Sequence, residues 1–176
     1  MLWYGKEEDV DIEYVHASKF GNGAMVAREF QRQMSDRGVD VAVHHVSEIE
    51  PNELASADLY LFSSPGRMGR PIRSMRRFLK AVELPPHTRY AILTTEIVPK
   101  PDKKTGRMPT EQEIGRYQRV RPIMNEILRG KGLELVAEDK VYVTGLRGPL
   151  EDGWRAKVAS FAVRVAEAGR PAAASS

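Results

Sequence analysis

Ser18-Lys19-Phe20-Gly21-Asn22-Gly23 stands between a short apolar segment and an amphipathic one. Upstream, Ile12, Tyr14 and Val15 predict a strand, and Ala17 marks where the chain leaves a sheet. Downstream, Met25, Val26, Phe30 and Met34 recur at helical spacing. A strand, a tight glycine loop and a helix N-terminus form an anion site, because loop amides and the helix dipole converge on one point. The Ser18 hydroxyl can add a hydrogen bond there, and a phosphate is the anion such a site fits.

Working outward, apolar runs alternate with helical patterns along the whole chain. Strands are expected at 11–16, 40–45, 59–63, 90–95 and 134–142, and helices at 23–37, 72–82, 111–131 and 151–167, with a helical turn near 51–56. Gly38 is expected to close the first helix, and Gly130 or Gly132 the long one. Repeated strand–helix units imply a parallel sheet covered on both faces. Leu59-Tyr60-Leu61-Phe62 is apolar enough for a strand buried at its centre. One domain is expected over 10–168, with 1–9 as an arm and the Ala/Ser-rich 169–176 as a disordered tail.

Two further connections exceed what a linker needs. Ser63-Ser64-Pro65-Gly66-Arg67-Met68-Gly69-Arg70-Pro71 follows the third strand, and a Pro/Lys-rich segment from Glu96 to Pro109 follows the fourth. The latter reads as a lid or as disordered chain. In open α/β sheets, ligands lie outside the carboxyl ends of strands where strand order reverses. All three special loops start at such ends.

These loops resemble the flavodoxin-like FMN-binding family. Its phosphate loop has a hydroxyl, two residues, a glycine, one residue and a threonine, with an alanine four residues further on. Ser18, Gly21 and Ala27 match, and Gly23 replaces the threonine. Asp58, the strand after it, Ser63-Ser64-Pro65 and Gly69 are similar to the family's second flavin loop. The order Pro65 to Gly69 is most similar to the quinone-reductase branch, with Gly66 in place of a threonine and Met68 in place of an aromatic. The resemblance implies a flavodoxin-like three-layer α/β sandwich, with a five-stranded parallel sheet in the order 2-1-3-4-5. It implies FMN as cofactor, cradled by Ser18, Lys19, Phe20, Gly21, Asn22 and Gly23. Ser64, Pro65, Gly66, Arg67, Met68 and Gly69 would wall one side of the ring, and Thr95 and Glu96 the other. It leaves open an electron carrier, an NAD(P)H-dependent quinone-type reductase working as a homodimer, a protoporphyrinogen-oxidase-like enzyme, and a binding or regulatory module that has lost the flavin. No catalytic residue is singled out.

Charge and composition narrow the partners. Arg67, Arg70, Arg73, Arg76, Arg77 and Lys80 form a run with no acid between 67 and 82. Ile72, Met75, Leu79 and Val82 supply the buried stripe, which turns the cations outward. That face is either simply solvated or a collar for NAD(P)H phosphates or an acidic redox partner. The net charge of +3 is too small to point to nucleic acid. No run approaches the ~18 apolar residues of a membrane span. With no cysteine there is neither a disulfide nor a thiolate-ligated metal, and no metal site is expected; a cytoplasmic setting is the plain reading. His44 and His45, adjacent on a strand, are expected on opposite faces. His16, beside the glycine loop, reads as a structural hydrogen-bonding residue, and Trp154 as helix packing.

Overall fold

The computed structural model describes residues 10–170. The expected arm and nearly all of the expected tail lie outside them, but Gly169 does not begin a tail: it is the buried last residue of a helix. Five parallel strands form the sheet: β1 (Asp11–His16), β2 (Asp40–His45), β3 (Leu59–Ser63), β4 (Arg89–Ile97) and β5 (Glu134–Val143). They lie in the order β2-β1-β3-β4-β5, a flavodoxin-like α/β sheet, as expected.

Strand alternation divides the core in two. Ile12 and Tyr14 of β1 and Leu59 and Leu61 of β3 face α1 (Asn22–Ser35) and α5 (Trp154–Gly169). Val15, Tyr60 and Phe62 face the other layer, which holds α2 (Arg73–Ala81) and α4 (Val120–Arg129). Val26, Ala27, Phe30 and Met34 supply the buried stripe of α1, and the Phe30 ring lies edge-on to Tyr14 at 5.5 Å. Trp154 is buried in this core, as expected. All of β3 is buried, which explains its unbroken apolar run.

Two departures from the sequence reading matter for the cleft. The long helix expected at 111–131 is two, α3 (Glu111–Tyr117) and α4, broken at Gln118–Arg119. Pro122 explains the break, since its ring collides with a helical carbonyl four residues earlier, at Gln118. It is tolerated in the first turn of α4, where no intrahelical N–H partner is required. Second, the loop after β3 is not featureless: Gly66–Arg67 pairs antiparallel with Arg70–Pro71 in a small hairpin. Met68 and Gly69 form its tip with φ of 51° and 75°.

Candidate functional site

At the carboxyl end of the sheet, the glycine loop, the hairpin and the ends of β4 and β5 enclose a cavity of about 170 Å³. Of the residues singled out in the sequence, Ser18, Lys19, Phe20, Asn22, Gly23, Pro65, Gly66, Arg67 and Thr95 line it. The glycine loop forms one end. Gly21 adopts φ 87° and begins α1 without any side-chain cap, while its own N–H donates to Ser18 Oγ at 3.1 Å. The first-turn amides of α1 are thus left for an acceptor from outside, as an anion site requires. A Cβ at Gly23 would stand 3.0 Å from the Ala17 carbonyl and 3.2 Å from Ser18 Cβ, so a side chain there would crowd the loop.

The hairpin forms the other end. An isolated parallel bridge ties Pro65 to Thr95, joining both sides of the cleft mouth. Gly66 is backed by Val120, whose Cγ2 would lie 2.9 Å from any added Cβ. Gly69 is pressed against α3: its carbonyl accepts from Arg119 N at 2.6 Å, and an added Cβ would fall 1.6 Å from the Tyr117 carbonyl. The loop beyond β4 does not cover the cavity, since no residue from 98 to 110 lines it. Asp102 Oδ1 instead accepts from the amides of Lys104 and Thr105, folding that segment on itself.

Four residues expected at the ring do not line the cavity. Met68 is 95% exposed because the left-handed tip of the hairpin throws its side chain outward. Gly69 faces α3, as described. Ser64 is buried, with Oγ accepting from Ile72 N and donating to the Pro65 carbonyl, which shapes the hairpin from within. Glu96 points to the opposite face from Thr95, as strand alternation requires. There it accepts from Arg121 Nε at 3.2 Å and from Thr94 Oγ1. It lines a separate polar cavity of about 290 Å³ with Gln118, Arg121, Lys140 and Tyr142. Gly21 also lies outside the lining, serving as the turn that starts α1.

The lining residues that the sequence does not mark as part of the site come from the start of α2, from apolar strand ends and from the loop after β5. Ile72, Ile97, Val143 and Leu146 complete the lining. The Arg147 guanidinium stacks on the Phe20 ring at 5.5 Å, and the Lys19 ammonium lies over the same ring at 5.5 Å. Two cations therefore flank the glycine loop. The signal was present in Thr144-Gly145-Leu146-Arg147-Gly148-Pro149, a fourth polar glycine loop leaving a strand end.

His44 and His45 take opposite faces. His44 Nε2 pairs with Glu13 away from the loop, whereas His45 lies against Ser18 and against His16, whose ring centroid is 5.1 Å away. His16 does not act as a structural hydrogen-bonding residue at Nδ1, which is buried without a partner. Burial pushes its pKa down to about 4, the neighbouring His45 acts the same way, and Glu48 opposes them. In the unfolded chain the imidazole titrates near 6.5, so between the two values the unfolded state binds the extra proton. This contribution to stability is fully present above about pH 6.5 and is lost as pH falls through 4. We expect His16 to account for roughly 2–3 kcal/mol of the loss between pH 7 and 4.5. Urea unfolding of wild type and His16→Gln at both pH values checks this: the acid loss should shrink by that amount in the variant.

The fold has clear relatives among solved structures. A flavodoxin from the domain Archaea superposes with a TM-score of 0.66 at 16% identity, covering 92% of this chain and 99% of that one. Flavodoxin 2 from Bacillus cereus gives 0.66 at 18% identity, with 90% and 99% covered. Rubredoxin oxygen:oxidoreductase from Desulfovibrio gigas gives 0.65 at 14% identity, covering 93% of this chain and 37% of that larger one. No protein-family model and no curated protein matches the chain. The fold is that of the flavodoxins. Among the described residues no helix is long and apolar enough to cross a membrane.

Proposed function

We propose that this chain is an FMN-binding redox protein that passes electrons through an exposed flavin edge. The observation that carries the reading is the uncapped start of α1, whose Asn22 and Gly23 line one end of a cavity whose other end is walled by Pro65, Gly66, Arg67 and Thr95. Ser18 to Gly23 would hold the phosphate, and the hairpin and Thr95 would flank the ring. When bound, FMN supplies one- and two-electron chemistry; the protein supplies position and electrostatics. The relatives named flavodoxins support the cofactor choice.

Small-molecule pockets usually measure roughly 300–1,000 Å³, and this cleft of about 170 Å³, open to solvent, encloses only part of a flavin. A ring seated here keeps an edge in solvent. Arg67 lines the cavity, and Arg70, Arg73, Arg77 and Lys80 lie exposed on the adjoining hairpin and helix. Among the described residues none of these five forms an ion pair. Such a face suits an acidic redox partner, whose encounter it would accelerate at low salt.

The test begins with apo-protein and FMN, which should give a yellow complex. Once reduced, that complex should be oxidised by anionic ferricyanide at a rate that falls with ionic strength, whereas oxidation by cationic cytochrome c should speed up. Arg73→Glu/Arg77→Glu should abolish the contrast. Failure to take up FMN overturns the redox reading. Uptake with no salt dependence keeps that reading and removes the basic docking face.

A further inference from the structure

His45 ends β2 in direct contact with the glycine loop. Its Nε2 lies 3.3 Å from Ser18 N and 3.2 Å from the Ser18 carbonyl oxygen. Its Nδ1 lies 2.7 Å from Ser47 Oγ and 3.1 Å from Ser47 N. A neutral ring can serve only half of these groups at once. With the proton on Nδ1 it donates to Ser47 Oγ and accepts from Ser18 N–H. With the proton on Nε2 it donates to the Ser18 carbonyl and accepts from Ser47 N–H. A doubly protonated ring donates in both directions, to Ser18 O and Ser47 Oγ, and both acceptors are already in place. It also ceases to accept from Ser18 N–H, so a loop amide is released at the moment a positive charge appears beside it.

We propose that the glycine loop takes up a phosphate together with a proton, and that His45 holds the proton. The inference rests on the reading of Ser18 to Gly23 as a phosphate site. The balance is one solvent proton and one phosphate dianion bound together, with no bond made or broken in the ligand. The groups facing the ring are consistent with a single proton there. From β1, His16 meets it edge-on and stays neutral through burial. From the turn after β2, Glu48 is the acid near the histidine pair. From the loop and from the segment after β5, Lys19 and Arg147 place their charges over the Phe20 ring. His45 thus offers charge on the β2 side of Ser18, where the other two cations do not reach it through a hydrogen bond. A phosphate seated on the Ser18 loop would favour the protonated imidazole through its opposite charge.

The experiment is calorimetry at pH 7.5 in two buffers of different ionisation heat, with FMN, riboflavin and inorganic phosphate as ligands, alongside NMR of the His45 ring. At that pH a phosphate ester, with its second pKa about 6, is almost wholly dianionic. Any proton taken up therefore belongs to the protein. FMN and inorganic phosphate should each draw in a few tenths of a proton, roughly, and move the His45 signals toward their protonated position. Riboflavin should do neither. His45→Gln should abolish the uptake and weaken FMN about tenfold while leaving riboflavin unchanged. FMN binding with no proton uptake and an unmoved His45 signal overturns this inference and leaves the redox reading intact. A response to inorganic phosphate without FMN binding supports the inference and overturns the redox reading. Silence toward both overturns both. Because the NMR arm uses the wild-type chain, a poorly folded variant does not remove the test.

Discussion

Gly69→Ala is expected to cost about 3–5 kcal/mol of stability, and to carry FMN binding away with it. Two effects add. A φ of 75° is strained for alanine by about 1 kcal/mol. The larger effect is spatial, because the new Cβ would lie 1.6 Å from the Tyr117 carbonyl, a backbone atom that cannot swing aside. The hairpin must therefore lift from α3, breaking the 2.6 Å hydrogen bond from Arg119 N to Gly69 O, itself worth about 1–3 kcal/mol once its groups are left unpaired. Gly38→Ala is the control: it shares the positive φ, at 71°, but an added Cβ there meets nothing within 4 Å. It should cost about 1 kcal/mol. Urea unfolding of the two variants separates strain from collision. Equal losses would mean that the contact with Tyr117 does not hold the hairpin.

FMN is expected to bind 10²- to 10⁴-fold more tightly than riboflavin, roughly the effect of two charge-assisted hydrogen bonds at about 1.5–3 kcal/mol each. The isoalloxazine and ribityl parts are common to both ligands, so the ratio isolates what the start of α1 contributes. Ser18→Ala should reduce FMN affinity by about tenfold and leave riboflavin alone, because Ser18 Oγ fixes the loop by accepting from Gly21 N–H at 3.1 Å. Fluorescence titration of both flavins against both proteins measures all four values. Equal affinity for FMN and riboflavin would mean that the loop is a turn and nothing more.

The parallel sheet was legible in the alternation of strand and helix patterns, whereas its order came with the family resemblance of the glycine and proline loops. The unbroken apolar run of Leu59 to Phe62 suited a buried central strand, and Ile12, Tyr14 and Val15 marked a strand leading into the glycine loop. The position of the cavity was legible for a related reason: three glycine or proline loops left strand carboxyl ends. Finer placement was not, and each miss has a physical cause. Pro122 was read as part of one long helix, although its ring forbids a helical carbonyl at Gln118. The resemblance puts Met68 at the ring wall, but nothing in the local sequence reveals that the hairpin tip turns left-handed and faces it to solvent. Thr95 and Glu96 were placed together, against the alternation that correctly separated His44 from His45. The contact of Arg147 with Phe20 depends on the path of the segment after β5, which local pattern does not encode.

The hairpin beside the cleft is backed by Val120 against Gly66 and by the α3–α4 junction against Gly69, in addition to the bridge from Pro65 to Thr95. In the proposed redox role this has a consequence for electron transfer. A wall clamped by backbone has little freedom to readjust when charge arrives or leaves, so its share of the reorganisation energy stays small. The speed of exchange through a flavin bound there would then be governed by distance and by driving force. It also means that the tuning of this site extends to Pro122, which touches no part of the cleft: by ending one helix and starting another, it delivers the Arg119 amide to the place where the wall is fastened.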